Sequence, residues 1–389
     1  MTYEESLKYL DGLIGFGIRP GLERINSVLS RLDFPQKNYR TVHVTGTNGK
    51  GSVSAMLAAI LKADGQNVGL FTSPHLESYR ERISIGGENI SEQDFADAID
   101  AVKNTGIRAT HFETLTAAAF FHFSRKKIDI AVIEVGIGGT YDSTNVITPE
   151  VSIITTVARE HENILGDLKS IAENKAGIIK PNVPVVTGAN GLPLEIIREV
   201  AKKNNSALYD ISEPANVETN LSGEFQKLNA AIAIRAAKIL GIDDRTIGTG
   251  LLEVKHPGRF EIVKKNSGTI VIDGAHNPHG AKALRTSLDK YFPAGNRVWI
   301  FGVLSDKNFD EMIKILFRQN DFVIVTPPDS ERAEPIEKLC EILTANGIKN
   351  IGAEKRSDAV KKFLTSDAEI KIAAGSLYLI GNIRKFLVQ

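Results

Sequence analysis

The chain has 389 residues, 42% of them hydrophobic and 24% charged, the composition of an ordinary globular protein and more length than one hydrophobic core usually serves. Its 47 basic and 47 acidic residues cancel, so the overall charge favours neither a nucleic-acid nor a membrane surface, and an anionic substrate has to be met by a local cluster. The start, "MTYEESLKYLDGLIGFG", lacks a basic segment followed by a long apolar core, and no apolar run reaches membrane-spanning length, so a cytoplasmic protein is expected.

"RTVHV" (40–44) reads as a strand, Val53, Met56, Leu57, Ile60 and Leu61 recur at helical spacing, and "NVGLF" (67–71) reads as the next strand. Between the first strand and the helix stands "TGTNGKGS". A glycine-rich loop there lets backbone N–H groups converge on a phosphate, and the helix N-terminus adds partial positive charge. The loop departs from the usual G-x-x-x-x-G-K-[ST], because two residues separate Gly46 from Gly49 and Gly51 precedes Ser52. Even so, Lys50 supplies a charge and Ser52 a hydroxyl for Mg²⁺, which a plain glycine turn would not need.

Apolar strands follow at "IDIAVIEVG" (128–136), "VSIITTV" (151–157) and "VPVVTG" (183–188), alternating with helical patterns. This is an α/β domain with a mostly parallel sheet. A cation accompanying a triphosphate wants oxygen ligands. Ser73 in "FTSPHL", Glu134 in "VIEVG" and His161 in "REHENILGD" lie at or after strand ends, the edge where open α/β sheets bind ligands. Singly these are a cap, a strand-end charge and a loop residue; together, beside a phosphate loop, they form a candidate site.

The Pro257-Gly258 pair predicts a boundary, giving domains 1–256 and 257–389. "GTIVIDG" (268–274), "RVWIFGV" (297–303), "DFVIVTPP" (321–328) and "SLYLIG" (376–381) read as strands of a second α/β domain, with a ligand cleft expected between the two. Here "VIDGAHNPHG" ends a strand at Asp273 and places His276 and Asn277 before a helix. Turn chemistry accounts for Asp, Gly, Asn and Pro but not for His276. The single cysteine, Cys340 in "IEKLCEIL", reads as core packing.

"YEESLKYL", "RPGLERINSVLSRLDFPQ", "HVTGTNGKGS", "TSPHLESYRERISIGGENIS", "FETLTAAAFFHF", "EVGIGGTYDSTN", "KAGIIK", "FQKLNAAIA", "PGRFE", "DGAHNP", "FGVLSDKN" and "GSLYLIGNIR" resemble, in order from about residue 3 to 385, the folylpolyglutamate synthase and dihydrofolate synthase family of the Mur ligase superfamily. The resemblance implies an N-terminal P-loop ATPase-like domain and a smaller C-terminal Rossmann-like α/β domain. It implies an ATP- and Mg²⁺-dependent amide ligase: a substrate carboxylate takes the γ-phosphate, and L-glutamate displaces phosphate from the acyl phosphate. The substrates would be L-glutamate with dihydropteroate or a reduced folate, and the protein a monomer.

By the same resemblance Gly46, Thr47, Asn48, Gly49, Lys50, Gly51 and Ser52 form the phosphate loop. Ser73, Glu134 and His161 match magnesium ligands, and Gln226 and Asn229 match residues that meet adenine. Arg259 and His276 match residues that reach ATP, with Asp273 beside the nucleotide. Lys175 matches a lysine carbamylated in many superfamily members; read from the residues alone it is a helix-surface lysine. The chain departs from the family's E-V-G-L-G-G-R-x-D-A-T-N at Thr140, while Asp142 and Asn145 are kept, and it has Glu160 and Asn174 where the family usually has Asp and Glu. A γ-glutamyl ligase for another cofactor and a non-catalytic ATP-binding member are the alternatives. A peptidoglycan-precursor ligase would normally need a further N-terminal domain ahead of the phosphate loop.

Overall fold

In the computed structural model of this chain, residues 1–17, 19–160, 162–265 and 268–389 are described, Asn163 by its backbone only. They form two units: Met1–Pro74 with Ser78–Asn220 and Lys227–Val254, and His75–Glu77 with Leu221–Gln226 and Lys255–Gln389.

The first unit is built on an eight-stranded sheet of β1 (Arg40–Thr45), β2 (Val68–Phe71), β3 (Ile83–Ile85), β4 (Glu88–Asn89), β5 (Ile130–Glu134), β6 (Val151–Ile154), β7 (Val185–Thr187) and β8 (Leu208–Asp210). Their spatial order is β4-β3-β2-β5-β1-β6-β7-β8. All are parallel from β2 to β8, and only β3 and β4 turn back antiparallel at one edge. Every residue of β5 and β6 is buried, and apart from Glu134 and Ser152 these strands are apolar, as a sheet covered on both faces requires.

Helices α1 (Tyr3–Ile14), α2 (Glu23–Arg31), α3 (Lys50–Ala63), α4 (Glu92–Lys103) and α5 (His111–Arg125) flank the first half of this sheet. Leu10, Ile25, Leu29, Phe95, Phe120 and Phe123 from α1, α2, α4 and α5 share one core with Phe71 and Ile133 of the sheet. Burying each such side chain stabilises by about 1.5–3 kcal/mol. Beyond them come α6 (Glu162–Leu165), α7 (Leu168–Ala176), α8 (Gly191–Lys203), α9 (Phe225–Ile239) and α10 (Asp244–Glu253). Helix α3 is buried on most sides, and α10 approaches it closely: a Cβ on Gly250 would lie 2.6 Å from the Ile60 backbone nitrogen.

The second unit has a six-stranded sheet of β9 (Glu261–Lys265), β10 (Gly268–Ile272), β11 (Arg297–Phe301), β12 (Phe322–Val325), β13 (Lys349–Gly352) and β14 (Ile370–Ala374), ordered β13-β12-β11-β14-β10-β9. Only β9 is antiparallel to its neighbour. Helices α11 (Pro278–Tyr291), α12 (Phe309–Leu316) and α13 (Ile336–Ala345) complete one core layer around Trp299 and Phe301. Helices α14 (Arg356–Leu364) and α15 (Leu377–Val388) complete another around Ile300 and Ala373. Cys340 is half-buried at the rim of the first layer. Among the described residues no helix is long and apolar enough to cross a membrane.

Two strand readings are corrected. "SLYLIG" opens α15: Leu377, Ile380, Ile383 and Leu387 are buried at helical spacing, and Ser376 caps the helix through the Tyr378 N–H at 3.2 Å. The strand is "IKIAA" instead, where Lys371 breaks the apolar pattern yet is buried, its ammonium donating to the Ala368 carbonyl at 3.0 Å and the Ser366 hydroxyl at 3.2 Å. The reading of 151–157 as one strand is too long. The strand stops at Ile154, and Thr155 and Thr156 turn toward the glycine loop.

Candidate nucleotide and metal site

Strand β1 lies centrally in its sheet, between β5 and β6, so the loop that leaves its C-terminal end is flanked by the segments that leave both neighbours. Gly46 has φ +149° and Gly49 φ +88°, values that L side chains rarely adopt. Space enforces the same choice: a Cβ on Gly46 would overlap the Thr155 hydroxyl, and one on Gly49 the Asn229 amide oxygen.

The threonines after β6 hold this loop. Thr47 N–H donates to the Thr156 carbonyl at 2.6 Å, and its hydroxyl reaches the Ala158 carbonyl at 3.1 Å. The Thr155 and Thr156 hydroxyls donate to the Asn48 carbonyl at 2.6 and 3.1 Å. With its carbonyls so occupied, the loop opens α3 at Lys50, a helix of 14 residues whose N-terminal dipole suits an anion. Ser52, in the first turn, is 3% exposed.

Two lysines meet on one carbonyl. Lys50 Nζ donates to Gly46 O at 2.9 Å and to Thr47 O at 3.2 Å, and Lys175 Nζ donates to the same Gly46 O at 2.9 Å. Lys175, expected on a helix surface from its surroundings in sequence, is 4% exposed. Burial pushes its pKa down from 10.5 to about 7, and the neighbouring charge of Lys50 adds to the shift; Glu160 and Asp142 oppose it. The two cations are tolerable together because one of them sheds its proton easily.

On the other flank, Glu134 ends β5 opposite Val44, 3% exposed, and its Oε2 accepts the Ser73 N–H at 3.1 Å. Ser73 follows β2, the next strand over. Ser52, Ser73 and Glu134 carry oxygen atoms of the hard kind that could hold a cation beside a triphosphate. His161 lies outside the described residues, and among those described no three His, Cys, Asp or Glu side chains converge on one point.

The segment after β5 is bolted down by Asp142, which the sequence reading named only as a kept position of the family pattern, and by Thr144, His43 and Thr45, which it did not single out. Asp142 Oδ2 accepts Gly136 N–H at 3.1 Å and Ile137 N–H at 3.0 Å, while Oδ1 accepts the N–H and hydroxyl of Thr144 at 3.0 and 2.6 Å. Burial raises the Asp142 pKa and these four donors oppose the rise. His43 Nε2 lies 2.8 Å from Thr144 Oγ1. Since the Thr144 proton goes to Asp142, His43 donates, in keeping with a neutral ring whose pKa burial lowers to about 3. Thr45 donates to Gly138 O at 2.6 Å. The signal for these partners was the alternation of polar residues within β1, His43 between two valines and Thr45 after the second.

In the second unit the "DGAHNP" turn follows β10. Asp273 accepts Phe260 N–H and Ala275 N–H, both at 2.8 Å, and burial raises its pKa while Arg259 opposes the rise. His276 Nδ1 donates to Gly274 O at 2.8 Å, fixing the ring, and Asn277 caps α11 through the Gly280 N–H at 2.7 Å. Arg259 packs against Gly274, where a Cβ would lie 2.8 Å from its guanidinium. Gln226, fully buried, belongs to this unit, whereas Asn229 stands against Gly49 in the first. Arg384 clamps Glu261 through two contacts at 2.9 and 2.7 Å, and Glu261 Oε2 accepts the Gly258 N–H at 2.9 Å, a brace absent from the sequence reading.

Residues 44–216 match the Mur ligase middle domain and residues 258–377 the Mur ligase glutamate ligase domain. The chain is 33% identical to the dihydrofolate synthase/folylpolyglutamate synthase of Bacillus subtilis, with 99% of each covered. The FolC protein of E. coli, solved in complex with DHPP and ADP, superimposes with a TM-score of 0.90 at 28% identity, over 100% of this chain and 98% of that one. The bifunctional folylpolyglutamate synthase/dihydrofolate synthase of Yersinia pestis, solved with AMPPNP and Mn ion, gives 0.90 at 29% identity, over 100% and 98%. With the fold matched along its whole length and the phosphate loop built as described, the chain belongs to the folylpolyglutamate synthase/dihydrofolate synthase family of Mur ligases.

Proposed function

We propose that this chain joins L-glutamate to the carboxylate of dihydropteroate or of a reduced folate, with ATP and a divalent metal, through an acyl phosphate. The observation that carries the reading is the glycine loop of β1 with Lys50 and Lys175 on Gly46 O, at the sheet edge that also bears Glu134 and Ser73. A carboxylate and a triphosphate repel, so the chemistry needs cations held where the two anions meet.

In this reading the loop N–H groups and Lys50 hold the triphosphate, with Lys50 leaving the Gly46 and Thr47 carbonyls to do so. An oxygen of the acceptor carboxylate attacks the γ-phosphorus, the bond to ADP breaks, and the acyl phosphate forms. The amine nitrogen of glutamate then attacks the acyl carbon, the phosphate leaves, and the amide nitrogen gives up its proton. Mg²⁺ held by Ser52, Ser73, Glu134 and His161 would screen the charge on the phosphates. Glu134 is the buried carboxylate of that set, and the oxygen donors suit a hard cation.

Gln226 and Asn229 are assigned to the adenine, and Arg259, Asp273 and His276 to the nucleotide. Lys175 is assigned to a second metal as its carbamate: a buried amine with a pKa near 7 is partly neutral in the cell, and only the neutral amine adds CO₂. Residues 1–256 would carry ATP binding and 257–389 the glutamate-ligase function, in a cytoplasmic monomer. The test is ADP release by the purified protein with Mg·ATP and L-glutamate, comparing dihydropteroate, tetrahydrofolate and no acceptor, with product masses. A gain of one glutamate on either pterin is the expected result; acceptor-independent or absent ADP release despite ATP binding would refute it.

A further inference from the structure

Two arginines of the first unit share one aromatic ring. The Arg108 guanidinium lies 4.6 Å and that of Arg19 lies 5.3 Å from the centroid of Phe16. Both side chains belong to exposed residues, and among the described residues neither has a carboxylate within ion-pair distance. Two acids on the adjoining helices α1 and α5 are engaged elsewhere. Glu113, 4% exposed, takes Arg24 Nη2 at 3.1 Å and the Thr110 N–H at 2.7 Å, and Asp11 takes the Tyr79 hydroxyl at 3.4 Å. Arg24 also donates to the Arg19 carbonyl, and Arg19 Nε to the Phe16 carbonyl at 3.4 Å, so the backbone that carries Arg19 is tethered.

Two like charges on one ring repel, and an anion between them turns that repulsion into attraction. Guanidinium groups suit carboxylates, whose two oxygens they meet in a planar fork. The chain links this pair to the reacting edge through the start of α5. Arg108 stands two residues before Thr110, the cap of α5, and Phe112 in the first turn of α5 occupies the space beside Gly136, where a Cβ would lie 2.6 Å from its ring and 3.2 Å from Asp142 Oδ2. Gly136 is two residues past Glu134.

We propose that Arg19 and Arg108, gathered at Phe16, bind the carboxylates of a γ-glutamyl tail on the acceptor, so that the enzyme favours glutamylated acceptors over dihydropteroate. This rests on the ligase reading above. Dihydropteroate has one carboxylate, the one that reacts. Each glutamate already on a folate adds an α-carboxylate that stays ionised and does not react, and these are the groups for which an arginine pair discriminates.

The experiment is kcat/KM for dihydropteroate, tetrahydrofolate and tetrahydrofolate triglutamate, in wild type, Arg19→Gln, Arg108→Gln and the double variant, at low and high KCl. The double variant should lower the ratio of triglutamate to dihydropteroate kcat/KM on the order of tenfold, chiefly through KM. In wild type that preference should fall with added salt, as for exposed charges, and in the double variant it should not. The KM for ATP is the control for an intact fold. An active wild type whose ratio is unchanged in the double variant, or which uses dihydropteroate alone, overturns the arginine assignment and leaves the ligase reading standing. If wild type takes only folates, the triglutamate KM must still rise in the double variant, and an unchanged KM overturns the assignment. A wild type that releases no acceptor-dependent ADP overturns both.

Discussion

Lys175→Met tests the electrostatics of the phosphate loop most directly. Methionine keeps a long unbranched side chain in the buried space but removes the amine, and Gly46 O retains Lys50 as a donor. In wild type the amine has a pKa of about 7 when folded against its ordinary 10.5. The sign follows from which state binds the proton. Below the folded value both states are protonated, and the whole cost of a buried ammonium weighs on the fold, about 5 kcal/mol for a shift of this size. Between the folded and unfolded values only the unfolded chain holds the proton, so stability rises with pH by up to about 1.4 kcal/mol per unit.

The lost hydrogen bond to Gly46 O, worth about 1 kcal/mol, offsets part of the gain. Lys175→Met should therefore be more stable than wild type by several kcal/mol near pH 6, with the gap narrowing by about 2–3 kcal/mol by pH 9. The assay is equilibrium urea unfolding of both proteins in carbonate-free buffer across that range, so that the amine is not consumed as carbamate. Ligase activity should be lost in the variant. A gap independent of pH, or a wild type more stable at every pH, would refute the reasoning, because it would mean that Lys175 carries no charge worth removing.

Lys50→Ala should bind ATP weakly and form no ADP, since it removes the loop's mobile charge; near-normal turnover in a folded variant would exclude that role. Gly49→Ala should lower ATP affinity at least tenfold, because φ +88° is strained for alanine and its Cβ meets Asn229; an isothermal titration with unchanged affinity would contradict it. Thr144→Val removes the hydroxyl that links His43 to Asp142 and leaves Asp142 one donor short, at a cost of about 1–3 kcal/mol. Thr144→Ser should restore it, which thermal unfolding of the pair would check.

The central part of the fold was legible because β1, its loop and α3 carry three signals at once: an apolar strand, glycines at the turn and helical spacing afterwards. The strand of residues 370–374 was not, because Lys371 looks solvent-facing until its ammonium is seen among backbone oxygens. The same blindness hid Lys175. A lysine amid polar residues on a helix gives no local sign of burial, and the acceptor that buries it, Gly46 O, is 129 residues away in sequence. The threonines after β6 went unread for a related reason. Their hydroxyls serve the phosphate loop across neighbouring strands, a relation set by strand order rather than by spacing along the chain.

Strand order also explains how the departures from the family pattern are accommodated. Thr140 replaces a long cation, but its N–H and hydroxyl both donate to the Asn174 carbonyl at 2.9 Å, and it packs so closely on Gly177 that a Cβ there would clash with it. Asn174, in place of an acid, sets its amide oxygen against Gly138, whose φ of +73° and lack of a side chain leave room for it. Asn145 closes the arrangement by donating to the Thr140 and Gly177 carbonyls at 3.0 and 3.2 Å. Where the resemblance sets a cation and a carboxylate, two neutral side chains stand, Thr140 bonded to the backbone and Asn174 packed on Gly138, so the local charge balance is kept. The loop after Glu134 is held by these bonds, and Asp142, with four donors around it, stays fixed at Gly136.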